Sequence, residues 1–150
     1  MKGKIILIGG VVHFVVTMIV GMLGTGPLVH NNVLKETYKA TVSFWRPELT
    51  KEPPDMGAVM PMWITIGIIS SLVIAFLYST VRGSFAGPGW KKGLAFGFGL
   101  SLFAAVTMAG WAGVFNLPAN LWLWWGVEYF VLSLIGCAAM GWATERWAGA

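Results

Sequence analysis

The chain has 150 residues, of which 57% are hydrophobic and 11% charged, with a mean hydropathy of +0.73. Soluble domains carry about 25% charged residues, so this composition excludes an ordinary soluble globule and points to an all-α integral membrane protein. The net charge of +4 is too small for a nucleic-acid-binding face, and the lone Cys137 has no intrachain disulfide partner.

Four apolar runs set the organisation. They predict one transmembrane domain over residues 1–150, a four-transmembrane-helix bundle with helices at about 5–25, 59–81, 93–117 and 120–145. Each run approaches the ~20 residues that a helix needs to cross the hydrocarbon core. Backbone groups in that core must be satisfied within the segment, which makes such runs helices.

Lys2 and Lys4 precede the first run, as in a signal peptide. The run is long, however, and ends in Gly24-Thr25-Gly26-Pro27 rather than an Ala-x-Ala site, so a retained helix is expected. A stripe of small and polar residues, Gly10, His13, Thr17, Gly21 and Gly24, shares one helical face. His13 falls near mid-span, and a histidine there is a candidate haem ligand, proton-relay member, quinone partner or interhelical hydrogen-bonding group. Bis-histidine haem would need a second histidine at the same depth, and His30 falls in the next segment.

That next segment, about residues 27–58, is expected on the extracytoplasmic side. Asn31 or Asn32 is placed to cap a short helix running through Ala40. Pro47, Pro53 and Pro54 then break the chain into an irregular stretch, with Phe44 and Trp45 tucked onto the membrane or the bundle. A connection this long suits docking to another protein or a lid over its own helices.

The second run carries Gly67, Ser71, Ala75 and Tyr78 on one face, and the third Gly93, Gly97, Ser101, Ala104 and Met108. Gly93 and Gly97 form a GxxxG step, the spacing that lets membrane helices approach closely. On the fourth run the corresponding face is Gly126, Ser133, Cys137 and Met140. Helix packing is therefore assigned to Gly10, Gly21, Gly67, Gly93, Gly97 and Ser133. Glu128 lies off that face, beside Leu121, Trp124 and Trp125. An acid in a membrane span is costly, about 2.5 kcal/mol or more at the centre, so it should be protonated, paired or beside water. Its expected partner is a neighbouring subunit, or His13 or Thr17 if their depths overlap.

Charge sets the orientation. Lys2 and Lys4, then Arg82, Lys91 and Lys92, then Arg146 all fall at one side, whereas residues 116–120 carry no charge. By the positive-inside rule both termini are cytoplasmic. Trp63, Trp122, Trp124 and Trp125 would mark the outer interface, and Trp90, Trp142 and Trp147 the inner one.

No set of residues for nucleophilic, metal or phosphate chemistry is evident, and no enzyme is expected. The leading expectation is a non-catalytic accessory or scaffold subunit of a larger membrane complex of respiratory or photosynthetic type, in a bacterial inner membrane. Its expected partners are membrane lipid and other membrane subunits, with homo-oligomers open and nucleic acid excluded. Two other readings stand beside it: a small homo-oligomeric proton-linked transporter or channel using Glu128 and His13, and a subunit binding quinone, haem or pigment. The sequence requires no cofactor. Candidate ligand- or partner-binding residues are His13, Glu128, Trp124, Trp125 and Trp45.

Overall fold

The computed structural model describes residues 2–149, and all regular structure among them is helical. Five helices carry the fold. We number them α1 (Lys2–Val33), α2 (Lys35–Ala40), α3 (Met56–Val81), α4 (Gly89–Ala112) and α5 (Ala119–Ala148). All but α2 are long and apolar enough to cross a membrane.

The boundaries differ from the sequence expectation for local reasons. Helix α1 does not stop before Pro27 but continues to Val33 through two π turns, Gly21–Thr25 and Val29–Val33. Helix α2 starts after Leu34 without a side-chain cap, and Asn32 instead bonds back to the Pro27 carbonyl at 3.0 Å. Asp55 opens α3 by accepting from the Ala58 amide. Helix α4 begins directly after Pro88 and ends at Ala112, short of the expected residue 117. Helix α5 closes at Gly149, whose φ of 65° favours glycine.

The helices lie in the order α3, α1, α5, α4. Helix α1 packs against both α3 and α5, and α5 against α4, while α3 and α4 barely meet. Their contact at one end is Tyr78 against Phe96, ring centres 5.6 Å apart. Around it sits the first core cluster, Ile5, Ala75, Tyr78, Cys137 and Met140. A second cluster, Val29, Leu34 and Leu121, lies at the opposite end beneath the 34–55 connection. Leu7, Val11, Val15 and Ile19, four residues apart along α1, point outward.

Small residues explain the close helix pairs. A Cβ on Gly93 would enter the backbone of Cys137, and one on Gly97 would lie 2.7 Å from the Ser133 carbonyl oxygen. Gly89 meets Gly141 in the same way, so Gly89, Gly93, Gly97 and buried Ser101 form one continuous face of α4 against α5. Gly9 sits where three helices meet, against Met140, Thr144 and Ala75. Gly10 faces Leu72 and Gly67 faces Phe14. A Cβ on Gly21 would come no nearer than 4.0 Å to Leu132, and Gly126 has open space beside it.

A methyl on that α4 face has nowhere to go, because the obstacle is backbone. Gly93→Ala and Gly97→Ala are each expected to destabilise the α4–α5 pair by about 1–3 kcal/mol. Gly99→Ala, which meets nothing within 4 Å, serves as the control. Chemical unfolding in micelles measures this, and equal effects at all three positions would refute the packing assignment.

Candidate functional site

The site begins with the π turns of α1. A π turn bonds residue i to i+5 and widens the helix. Here the Gly26 amide reaches the Gly21 carbonyl, and the Leu34 amide donates to Val29 at 2.8 Å. Gly26 is required at the first turn, because a Cβ there would strike the Gly21 carbonyl. Pro27 follows at the first positions of a helical turn, where its missing N–H is least costly. Thr25 and His30 are five residues apart, a spacing that a regular helix would send to different faces. The widened helix turns both toward α5.

They meet Glu128. Thr25 Oγ1 donates to Glu128 Oε1 at 2.7 Å, and His30 Nε2 contacts Oε2 at 2.9 Å. The Glu128 side chain is 13% exposed and that of His30 40%. On the other side of the imidazole, His30 Nδ1 is 2.7 Å from Tyr38 Oη, which also accepts from Trp125 Nε1 at 2.8 Å. One tautomer satisfies every group: neutral His30 with its proton on Nε2. The donors then run in one direction, from the Trp125 indole to the Tyr38 hydroxyl, to His30, to the carboxylate. Three donors in series thus end on one acceptor, the Glu128 carboxylate. Burial holds the Tyr38 phenol above its usual range, and the nearby Glu128 charge acts in the same direction against the bond from Trp125.

The same residues fasten the connection onto the helices. Asn120 Nδ2 donates to Thr37 Oγ1 at 2.8 Å, and Trp45 Nε1 to Thr41 Oγ1 at 3.0 Å. Trp45 stands edge-on to Tyr38 and to Trp125, with ring centres 5.3 and 5.9 Å apart. Trp124 packs against the Val29, Leu34 and Leu121 cluster. Trp45, Trp124, Trp125 and Glu128, expected from the sequence as candidate binding residues, therefore fall in one region.

His13 does not. It is 6% exposed, its Nδ1 lies 2.9 Å from Ser71 Oγ on α3, and it takes no part in the Glu128 cluster. Thr17 bonds to the backbone of its own helix, at His13 and Phe14, so it is no partner of Glu128 either. The Nε2 of His13 has no partner and faces Gly136, where a Cβ would come within 3.1 Å of it. Helix α5 thus closes that nitrogen off from a planar ligand such as haem.

Nor does Glu128 need a neighbouring subunit, because both its oxygens are bonded within the chain. The sequence does not single out Thr25, His30 and Tyr38, because a Gly-Pro step ordinarily ends a helix and here it does not. The available signal was the match in depth between Glu128, two turns into its helix, and a first helix continued past Pro27. Among the described residues no group of acids, histidines and cysteine is placed to hold a metal. Compared with family models, curated proteins and solved structures, the chain matches none.

The Tyr38 environment sets a titration test. A raised folded pKa gives stability that is present below the usual phenol value of about 10 and lost as pH rises through the folded value. Glu128→Gln removes a repelling charge and should lower the Tyr38 pKa. Trp125→Phe removes a donor to the phenolate and should raise it further. Phenolate absorbance, differenced against Tyr38→Phe in each background, reads both, and shifts in the reverse order would contradict this arrangement.

Proposed function

We propose that this chain is an integral membrane protein with both termini in the cytoplasm, acting as a non-catalytic accessory or scaffold subunit of a larger membrane complex. The observation that carries this reading is the helix order. Helices α3 and α4 are each packed on one neighbour and barely on each other, so both flanks are free to take helices of other chains. Phe98, Leu102, Phe103 and Val106 along α4, and Ile66, Ile69, Val73 and Phe76 along α3, are exposed there. The polar contacts between the helices fall in separate sets, His13 with Ser71 and Glu128 with Thr25 and His30. This division favours a structural role over a polar path across the bundle.

Orientation follows from charge. Lys2, Lys4, Arg82, Lys91, Lys92 and Arg146 belong to the end that carries both termini, and the positive-inside rule puts that end in the cytoplasm. The 34–55 connection is then extracytoplasmic. A respiratory or photosynthetic assembly of a bacterial inner membrane is the host we favour, since small helical subunits there seal contacts between larger ones.

A second reading has its own support. The one-way chain through Tyr38, His30 and Glu128 is suited to handling a proton at the outer end of a homo-oligomeric transporter.

Native mass spectrometry of the protein purified from its own membrane in mild detergent separates the two. Unlike chains in the same band are expected for an accessory subunit. A homo-oligomer would overturn that role, and loss of proton flux in Glu128→Gln would then establish the second.

A further inference from the structure

The connection between α1 and α3 lines an open cleft whose lysines neither reading above uses. Its volume is about 410 Å³, within the ~300–1,000 Å³ of small-molecule sites. Three separate stretches build it: His30 at the end of α1, Lys35, Tyr38 and Lys39 on α2, and Trp45 and Lys51 on the proline-punctuated loop. From the convergence of three lysines with an aromatic wall, we propose that this cavity binds the phosphate group of an amphiphilic molecule, with the apolar body against Trp45.

The charges support an anion. Lys35, Lys39 and Lys51 line the cavity, and the acid among the lining residues is Glu52. Lys35 makes no ion pair among the described residues. Lys39 and Lys51 hold Glu36 and Asp55 at 2.9 and 3.0 Å, and these exposed pairs involve acids that do not line the cavity. Exposed pairs of this kind contribute little, about 0–1 kcal/mol. Either ammonium can therefore turn to a bound anion at small cost.

The number of charges points to phosphate rather than carboxylate, since a phosphate monoester offers three free oxygens and up to two charges, and a carboxylate two oxygens and one charge. The fork of arginine matches carboxylate and phosphate alike, whereas lysine binds phosphate as a point charge. Three such charges on two segments that line the cleft suit the several oxygens of a tetrahedral group.

The floor and one wall are fixed before any ligand arrives. Tyr38 and His30 are tied to Trp125 and Glu128. Trp45 is held by Thr41 and by two edge-on rings. The loop is held by the Asp55 amide bonding to the Glu48 carbonyl at 2.8 Å, and by Arg46 on Glu48. Leu49 and Val42 add apolar surface beside Trp45. The phosphate could belong to a lipid headgroup or to a soluble phosphate ester. The lipid source rests on the membrane orientation proposed above, which would put the cavity at headgroup depth.

Calorimetric titration of the full-length protein in micelles tests the site with three probes: dihexanoyl phosphatidate, inorganic phosphate, and dihexanoylglycerol as the apolar body without phosphate. Saturable binding of phosphatidate is expected, with dihexanoylglycerol silent. The double variant Lys35→Ala, Lys51→Ala should weaken it by about tenfold or more, as losing charge-assisted bonds does. Both lysines are exposed, so the variant should fold, and helical circular dichroism verifies that. Phosphatidate binding without phosphate binding assigns the lipid headgroup. Lysine-dependent binding of inorganic phosphate as well assigns soluble phosphate esters. The proposal is overturned if neither phosphate probe binds saturably, or if binding ignores the lysine substitutions. The mass spectrum of the native complex does not depend on this result, so the two ideas fail separately.

Discussion

Glu128 stands on α5 among tryptophans and leucines, where an ionised carboxylate needs donors that water does not freely supply. Charge-assisted bonds contribute about 1.5–3 kcal/mol each, and losing a partner leaves the acid exposed to the full cost of desolvation. Much of the cap end follows from meeting that need. Thr25 and His30 reach the acid because α1 runs on past Pro27, and α1 runs on because two widened turns absorb the glycine and proline. Once His30 is fixed by Glu128, its second nitrogen fixes Tyr38, and Tyr38 with Trp125 fixes α2 over the end of α5.

The two ends of the molecule are held by different means. At the cap end the contacts are directional bonds between unlike groups, with Val29, Leu34 and Leu121 filling the space beneath. At the other end the contacts are backbone against backbone, with Gly89 and Gly93 on Gly141 and Cys137. Apolar burial cannot drive helices together in lipid, whose tails are as apolar as leucine. Close approach and polar bonds are the two means left, and each end relies mainly on one of them.

The sequence was informative where a single physical rule governs. Hydropathy located the four long helices, and residue spacing put Gly93 and Gly97 on one face of the third and Ser133 on a face of the fourth. It was uninformative where rules compete. Pro27 ordinarily ends a helix, a rule that works against the need of Glu128 for a partner, and the π turns reconcile the two. Gly126 fits the spacing of its stripe but faces open space, because spacing assigns a face without saying whether a neighbour covers it. His13 and Glu128 share a chain but no contact, since depth depends on where each helix starts and on how far it is widened.

The glycine face between α4 and α5 has a further consequence for translational register. Gly89, Gly93 and Gly97 repeat every four residues, and so do their opposites Gly141, Cys137 and Ser133. Sliding one helix past the other by four residues, about 6 Å, restores most of the pattern. Gly93 would then oppose Gly141, and Gly97 would oppose Cys137. The repeat therefore fixes the size of the step without choosing among the steps. That choice falls to residues that break the repeat. A slip in one direction sets Ser101 on Ser133, two side chains where a glycine had allowed contact. A slip in the other sets Tyr129 on Gly97, and either one separates Phe98 from Phe130, now paired edge-on at 6.0 Å. The bulky residues beside this seam serve as its stops.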